Sequence, residues 1–194
     1  MIKGNKSLSI CLLLLAMFSF VGCKRKSYIA DFETFYSMDS AVNAATLIIH
    51  GKVTDVKTKQ NIVVGKSRGT AHKYTVSDVE ILDVIYGDAK VGDIIQVKQL
   101  ENEQTTEEAG YLKKGQDTIL FLVTYQSTPA SLINPSQGKM IFDENQNLAA
   151  NDKLLNILAD HNEDNKQQSE MGKSIEEMNY DYETVVEIIK KSLK

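Results

Sequence analysis

Between Thr46 and Phe142 the apolar residues alternate or run in short blocks, punctuated by Gly, Asn and Asp. That spacing predicts strands. In TLIIHGKVTDV (46–56), Leu47, Ile49, Gly51 and Val53 share one face, and Ile48, His50, Lys52 and Thr54 the other. A glycine inside such a pattern predicts a bulge or sharp bend at Gly51. Residues 61–70 carry turn signals and read as a hairpin or loop. HKYTVSDVEILDVIYGD (72–88) is a second strand whose phase slips near Ser77 and Asp78, as a bulge would make it, and which closes at Gly87. GDIIQVKQL (92–100) is a third. An acidic loop follows over 101–110, then a turn at Lys113–Gln116. Asp117 to Tyr125 is continuously apolar at its centre and predicts a buried strand. Residues 126–138 read as a loop, long enough to be functional. A last short strand and turn occupy 139–148, with Met140 and Phe142 on one face.

The flanks have a different rhythm. Residues 24–36 lack a period and predict a tether that ends by packing Phe32, Phe35 and Tyr36 on the domain. Ser37–Ser40 supplies capping residues for a short helix over 41–45. Leu154, Leu155, Ile157 and Leu158 suit one amphipathic turn, and the polar stretch 160–174 suits a linker. From Asp181, the stripe Tyr182, Val185, Val186, Ile189 and Leu193 predicts a helix, with Lys190, Lys191 and Lys194 at its C-terminal end. The fold class is therefore mainly β with helical appendages. Five strands, divided by one long loop after the third, predict a small OB-like barrel at 38–150 and a helical C-terminal extension at 151–194.

At the N-terminal end Leu8–Val21 is a 14-residue apolar run behind Lys3 and Lys6. It is shorter than the ~20 residues that span a bilayer, and has the parts of a secretory signal. Phe20-Val21-Gly22-Cys23 ends it and resembles a bacterial lipobox. The resemblance implies a signal peptide at 1–22, cleavage between Gly22 and Cys23, and acylation of the Cys23 sulfur. Cys11 leaves with the signal, so the remaining chain has one sulfhydryl and no intramolecular disulfide. Residues 23–37 are then a lipidated tether. Lys24, Arg25 and Lys26 stand beside the lipid, where each basic residue adds about 1 kcal/mol of attraction to an anionic leaflet.

The chain carries 22 basic and 26 acidic side chains, net −4. Without Lys3 and Lys6 the balance is −6. An acidic, tryptophan-free chain lacks the basic footprint of nucleic-acid binding. The order of signals is also similar to a family pattern: "ATLIIHGKVTDV", "YTVSDVEILDVIYGD", "VGDIIQV", "YLKKGQDTILFLVTY" and "NPSQGKMIF". These phrases, over roughly 40–145, resemble uncharacterised lipoproteins of Gram-positive bacteria and, more distantly, the OB-like netrin or metalloproteinase-inhibitor domain. Those inhibitors chelate zinc through a free N-terminal cysteine; Cys23, acylated and far before the barrel, does not carry that mechanism over.

Catalytic and metal patterns are sparse. His50, His72 and His161 are scattered without ligand spacing and read as surface or edge histidines. Residues 143–147, DENQN, alternate oxygen ligands but lack the glycine and terminal glutamate of a calcium loop, and read as a turn. No H-E-x-x-H or phosphate-loop motif occurs. The expectation is no catalytic residue, no metal and no cofactor. The leading reading is a non-enzymatic, lipid-anchored extracytoplasmic module on the bacterial cell membrane, presenting residues 57–70 and 126–138 to a protein, peptide or cell-wall ligand. The alternative is an envelope enzyme or enzyme inhibitor with a site assembled only in three dimensions.

Overall fold

A computed structural model describes residues 32–63, 71–101, 110–149, 157–158 and 180–193. Chain order is α1 (Met38–Ala44), β1 (Leu47–Val63), β2 (Ala71–Tyr86), β3 (Ile94–Leu100), β4 (Asp117–Val123), β5 (Ala130–Leu132), β6 (Lys139–Phe142) and α2 (Tyr182–Ser192). The strands lie in the order β1-β2-β3-β5-β4-β6, and β1 also pairs with β4. That second pairing closes β1-β2-β3-β5-β4 into a ring, the small five-stranded barrel expected. β3 and β5 are its one parallel pair among the described strands.

The ring's fifth strand corrects the sequence reading. The stretch 126–138 contains β5, and residues 139–142 form β6, outside the ring and paired only with β4. Three residues with a buried, half-buried, buried pattern are too short for a periodicity argument, and the tight turn after them makes them look like loop.

Two apolar clusters lie on the two faces of the same strands. The barrel interior holds Leu47, Ile49, Val53, Val79, Ile81, Val97, Leu120 and Leu122. The outer faces of β1, β4 and β6 hold Ile48, Ile119, Phe121, Met140 and Phe142, covered by α1 and α2. This explains the unbroken apolar centre of β4: Leu120 and Leu122 point in, and Ile119 and Phe121 point out beneath the helices. Burial of five such side chains contributes on the order of 10 kcal/mol before chain entropy is subtracted.

α1 begins three residues earlier than predicted, at Met38, because Ser37 alone is its N-cap. The Ser37 hydroxyl accepts from Ser40 N–H, and Ser40 Oγ accepts from Ser37 N–H, a reciprocal capping box. α2 begins at Asp181, whose carboxylate accepts from Thr184 N–H at 2.9 Å. Its stripe of Val185, Val186, Ile188 and Ile189 is buried against α1 and the sheet, so the helix covers this domain. Helical Ile157 and Leu158 are buried in the same cluster; residues 160–174 lie outside the described residues.

Of the three aromatics expected to seat the tether, only Phe35 is buried. Phe32 is exposed and Tyr36 is 84 % exposed. The Gln137 side chain selects Phe35 by taking both its backbone groups: Phe35 N–H donates to Oε1 at 2.9 Å, and Nε2 donates to Phe35 C=O at 2.7 Å. Asn134 Nδ2 donates to the Glu33 carbonyl beside it.

β1 is longer than its sequence suggests. Its first six residues pair with β4, and it runs on past the barrel to Val63, paired with β2 back to Ala71. Residues 57–63 are thus strand, and only 64–70 remain outside the described residues. Shifts of register break the alternation here. They lie between Ile48 and Ile49, between His50 and Gly51, between Val53 and Asp55, and between Lys57 and Gln60, where Lys59 has φ 56°. The slip expected near Ser77 and Asp78 belongs to the partner strand: Thr54 is the extra residue, and its hydroxyl donates to Asp78 C=O at 3.1 Å. Gly51 sits where β1 bends over β2; a Cβ there would lie 2.6 Å from Val79 Cγ1 and 2.8 Å from the Glu80 oxygen.

Candidate functional site

β3 pairs with β2 along its whole length, Ile94–Leu100 against Glu80–Tyr74. It pairs with β5 only at Val97 and Lys98. Ile94, Ile95 and Gln96 therefore have no strand on their second side among the described residues. Before Ala130 the chain, which includes Pro129, makes no ladder with Ile94–Gln96. The chain from Thr124 to Pro129 instead bows away from β3. The gap is a cavity of about 420 Å³, lined by Ile94–Gln96 on one side and residues 124–130 on the other. That is within the range of small ligand sites.

The bowed wall is fastened at both ends. At its start, Thr124 N–H donates to Thr46 Oγ1 at 2.9 Å, and the two hydroxyls lie 3.0 Å apart. At its end, Lys98, 5 % exposed, donates through Nζ to Thr128 Oγ1 at 3.0 Å and to the Pro129 carbonyl. The same ammonium lies 4.1 Å from the centroid of the Tyr125 ring. Burial lowers the Lys98 pKa below the ordinary lysine value. Among the described residues its partners are neutral acceptors and a ring face.

The lining has no Asp, Glu, Lys, Arg or His. Gln96, Gln126, Ser127 and Thr128 supply amides and hydroxyls. Ile94 (55 % exposed) and Tyr125 (50 % exposed) supply apolar surface at the rim. Gln96 also donates to Asp78 Oδ1 at 2.9 Å, and Lys57 Nζ donates to Asp78 Oδ2 at 2.7 Å. The Lys57 bond, then the Gln96 bond, hold the Asp78 carboxyl below the ordinary aspartate range.

A second polar cluster joins β1, β4 and α2. His50 Nε2 lies 2.6 Å from Asp117 Oδ1. The Tyr182 ring lies tilted by 42° against the His50 ring, centroids 4.5 Å apart, and meets Phe142 edge-on at 5.8 Å. Burial, and then Asp83 and other nearby carboxylates, push the Tyr182 hydroxyl up to about 12. His50 is thus half-buried and partnered, where the sequence suggested a surface or edge position. His72 sits far along β2, opposite Ile62, so the structure does not bring it to His50. Among the described residues no three His, Cys, Asp or Glu side chains converge as a metal site. His161, Gly22 and Cys23 lie outside the described residues.

The turn at 143–147 spends its acid on the backbone: Asp143 Oδ1 accepts from Asn145 N–H at 2.8 Å and from Asn147 N–H at 2.9 Å. Of the expected ligand-facing stretch 126–138, only the part to Ala130 lines the cavity. The rest is β5 and a turn in which Asn134 Oδ1 accepts from Ser136 and Gln137. Sequence reasoning missed Ile94, Gln96, Lys98 and Tyr125. A lysine inside the strand IIQVKQL, with Pro129 and Tyr125 at either end of one loop, was the available signal. No protein-family model matches the chain, and no curated protein matches it.

Proposed function

We propose that this protein is a lipid-anchored extracytoplasmic binding module that takes its ligand in the groove between β3 and residues 124–130. The observation that carries it is the groove's construction: an interrupted β-ladder, a wall pinned by Thr46 and Lys98, and an uncharged lining with exposed Tyr125 and Ile94. Rigid walls with a few polar groups suit recognition, since little order is lost on binding. In OB-like barrels generally, the face of strands 2 and 3 and the loop between strands 4 and 5 hold ligands. The anchor at Cys23, with cleavage after Gly22, rests on the sequence and places the module on the bacterial cell membrane. An envelope enzyme is the second reading, supported by the His50–Asp117 pair, in which a carboxylate orients an imidazole as in general-base sites.

A photo-crosslinking residue at Tyr125, in intact cells expressing the tagged full-length protein, tests the groove; the same residue at exposed Tyr36 is the control. Capture of one partner from position 125 and not from 36, lost in Cys23→Ser, is the expected result. Equal capture from both positions would remove the groove from the reading. Retention of Cys23→Ser in the membrane fraction would remove the anchor.

A further inference from the structure

We infer that the groove receives an extended peptide segment, uncharged at its centre, which pairs with the free edge of β3 and completes the interrupted ladder between β3 and β5. The inference rests on the binding-module reading and adds the ligand's chemistry. In a strand paired on one side, alternate residues turn their N–H and C=O groups to the other. On that side stand both groups of Ile94 and the N–H of Gln96, since Ile95 pairs toward Val79 and the Val97–Ala130 register engages the Gln96 carbonyl. Such an edge pairs with any extended backbone of matching register.

The interruption is built in. Lys98 holds the Pro129 carbonyl and the Thr128 hydroxyl at side-chain length from β3, and the chain before Ala130 makes no ladder with it. An added strand would lie between two fixed walls. Its side chains would alternate between the rim, where Ile94 and Tyr125 offer apolar surface, and the amides and hydroxyls of Gln126 and Ser127. With no ionised group in the lining, a charged residue at the ligand's centre would lose its hydration without gaining a partner. A saccharide could use the same hydroxyls and the Tyr125 ring, but would leave the β3 edge unpaired.

A phage-displayed library of random nonapeptides, selected on the full chain in detergent micelles, tests this. The expected clones have uncharged, β-branched or aromatic centres. They slow amide exchange at Ile94 and Gln96 at least tenfold and lose at least tenfold in affinity when the central residues are N-methylated. Tyr125→Ala weakens the same clones. If clones depend on Tyr125 but neither protect Ile94 and Gln96 nor respond to N-methylation, strand addition is wrong and the groove reading stands. Displacement of the clones by N,N′,N″-triacetylchitotriose, with no edge protection, would assign the groove to saccharides. Failure to select any clone that depends on Tyr125 would overturn the groove reading as well.

Discussion

The Lys98 ammonium lies 4.1 Å from the centre of the Tyr125 ring, and it donates to the hydroxyl of Thr128 and the carbonyl of Pro129. One buried cation thus fixes the wall of the groove through three neutral acceptors. Replacing it with an apolar side chain of similar length removes the bonds and also removes the cost of burying a charge. Lys98→Met is expected to change global stability by less than about 1 kcal/mol. Amide exchange at 126–128 should nevertheless quicken at least tenfold. Unchanged exchange there would show that Lys98 does not hold the loop.

Lys139 makes stability depend on pH in the alkaline range. It is buried, donates to the carbonyls of Gly110 and Pro135, and burial lowers its pKa to about 8 from 10.5. Between those values the unfolded chain binds more protons than the folded one. Stability from this group therefore rises as pH rises from 8 to 10.5, by at most about 3 kcal/mol. Urea unfolding at pH 7.5 and pH 10 should show the rise in the native protein and lose it in Lys139→Met. A rise that persists in Lys139→Met would assign it elsewhere.

Tyr182 acts with the opposite sign. Its hydroxyl is raised to about 12 from 10 by burial first and then by Asp83 and other carboxylates. The folded protein keeps that proton longer, so the contribution is complete below pH 10 and is lost as pH rises toward 12. Tyr182→Phe should abolish the loss. Tyr182→Ala also removes the ring from His50 and Phe142, and is expected to cost about 2 kcal/mol. Equal stability of the Phe and Ala variants would mean that the ring does not help to dock α2.

Gly51→Ala is expected to destabilise the barrel by about 2 kcal/mol, since a Cβ would meet both Val79 and the Glu80 backbone. The backbone oxygen cannot rotate away. Val79→Ala should recover part of the loss by opening one of the two contacts. Thermal melting of the single and double variants reads the coupling; strict additivity would refute it.

How legible was this fold in the sequence? The strands and both helices were, because each carries either a period or a cap: Ser37 and Ser40 for α1, and the Val185–Ile189 stripe for α2. The double burial of β4 was readable from its continuous apolar run. β5 was not, since ASL is three residues without a period and its place depends on pairing with Val97, 33 residues earlier. The groove escaped for the same reason. It is defined by pairing that stops, and a sequence pattern marks residues that pair without marking where a partner is missing. The meeting of His50 with Asp117 depends likewise on the closure of β1 against β4, which lies 67 positions further along the chain.

The barrel has a foot and a reach. Glu33 and Phe35 are held by Asn134 and Gln137, whose turn is bonded to Phe121 near the Leu47 end of β1. From Leu47, β1 runs to Val63, a contour of about 50 Å at ~3.3 Å per residue. The first described residues and the far end of the β1–β2 ribbon therefore lie at opposite ends of one long strand.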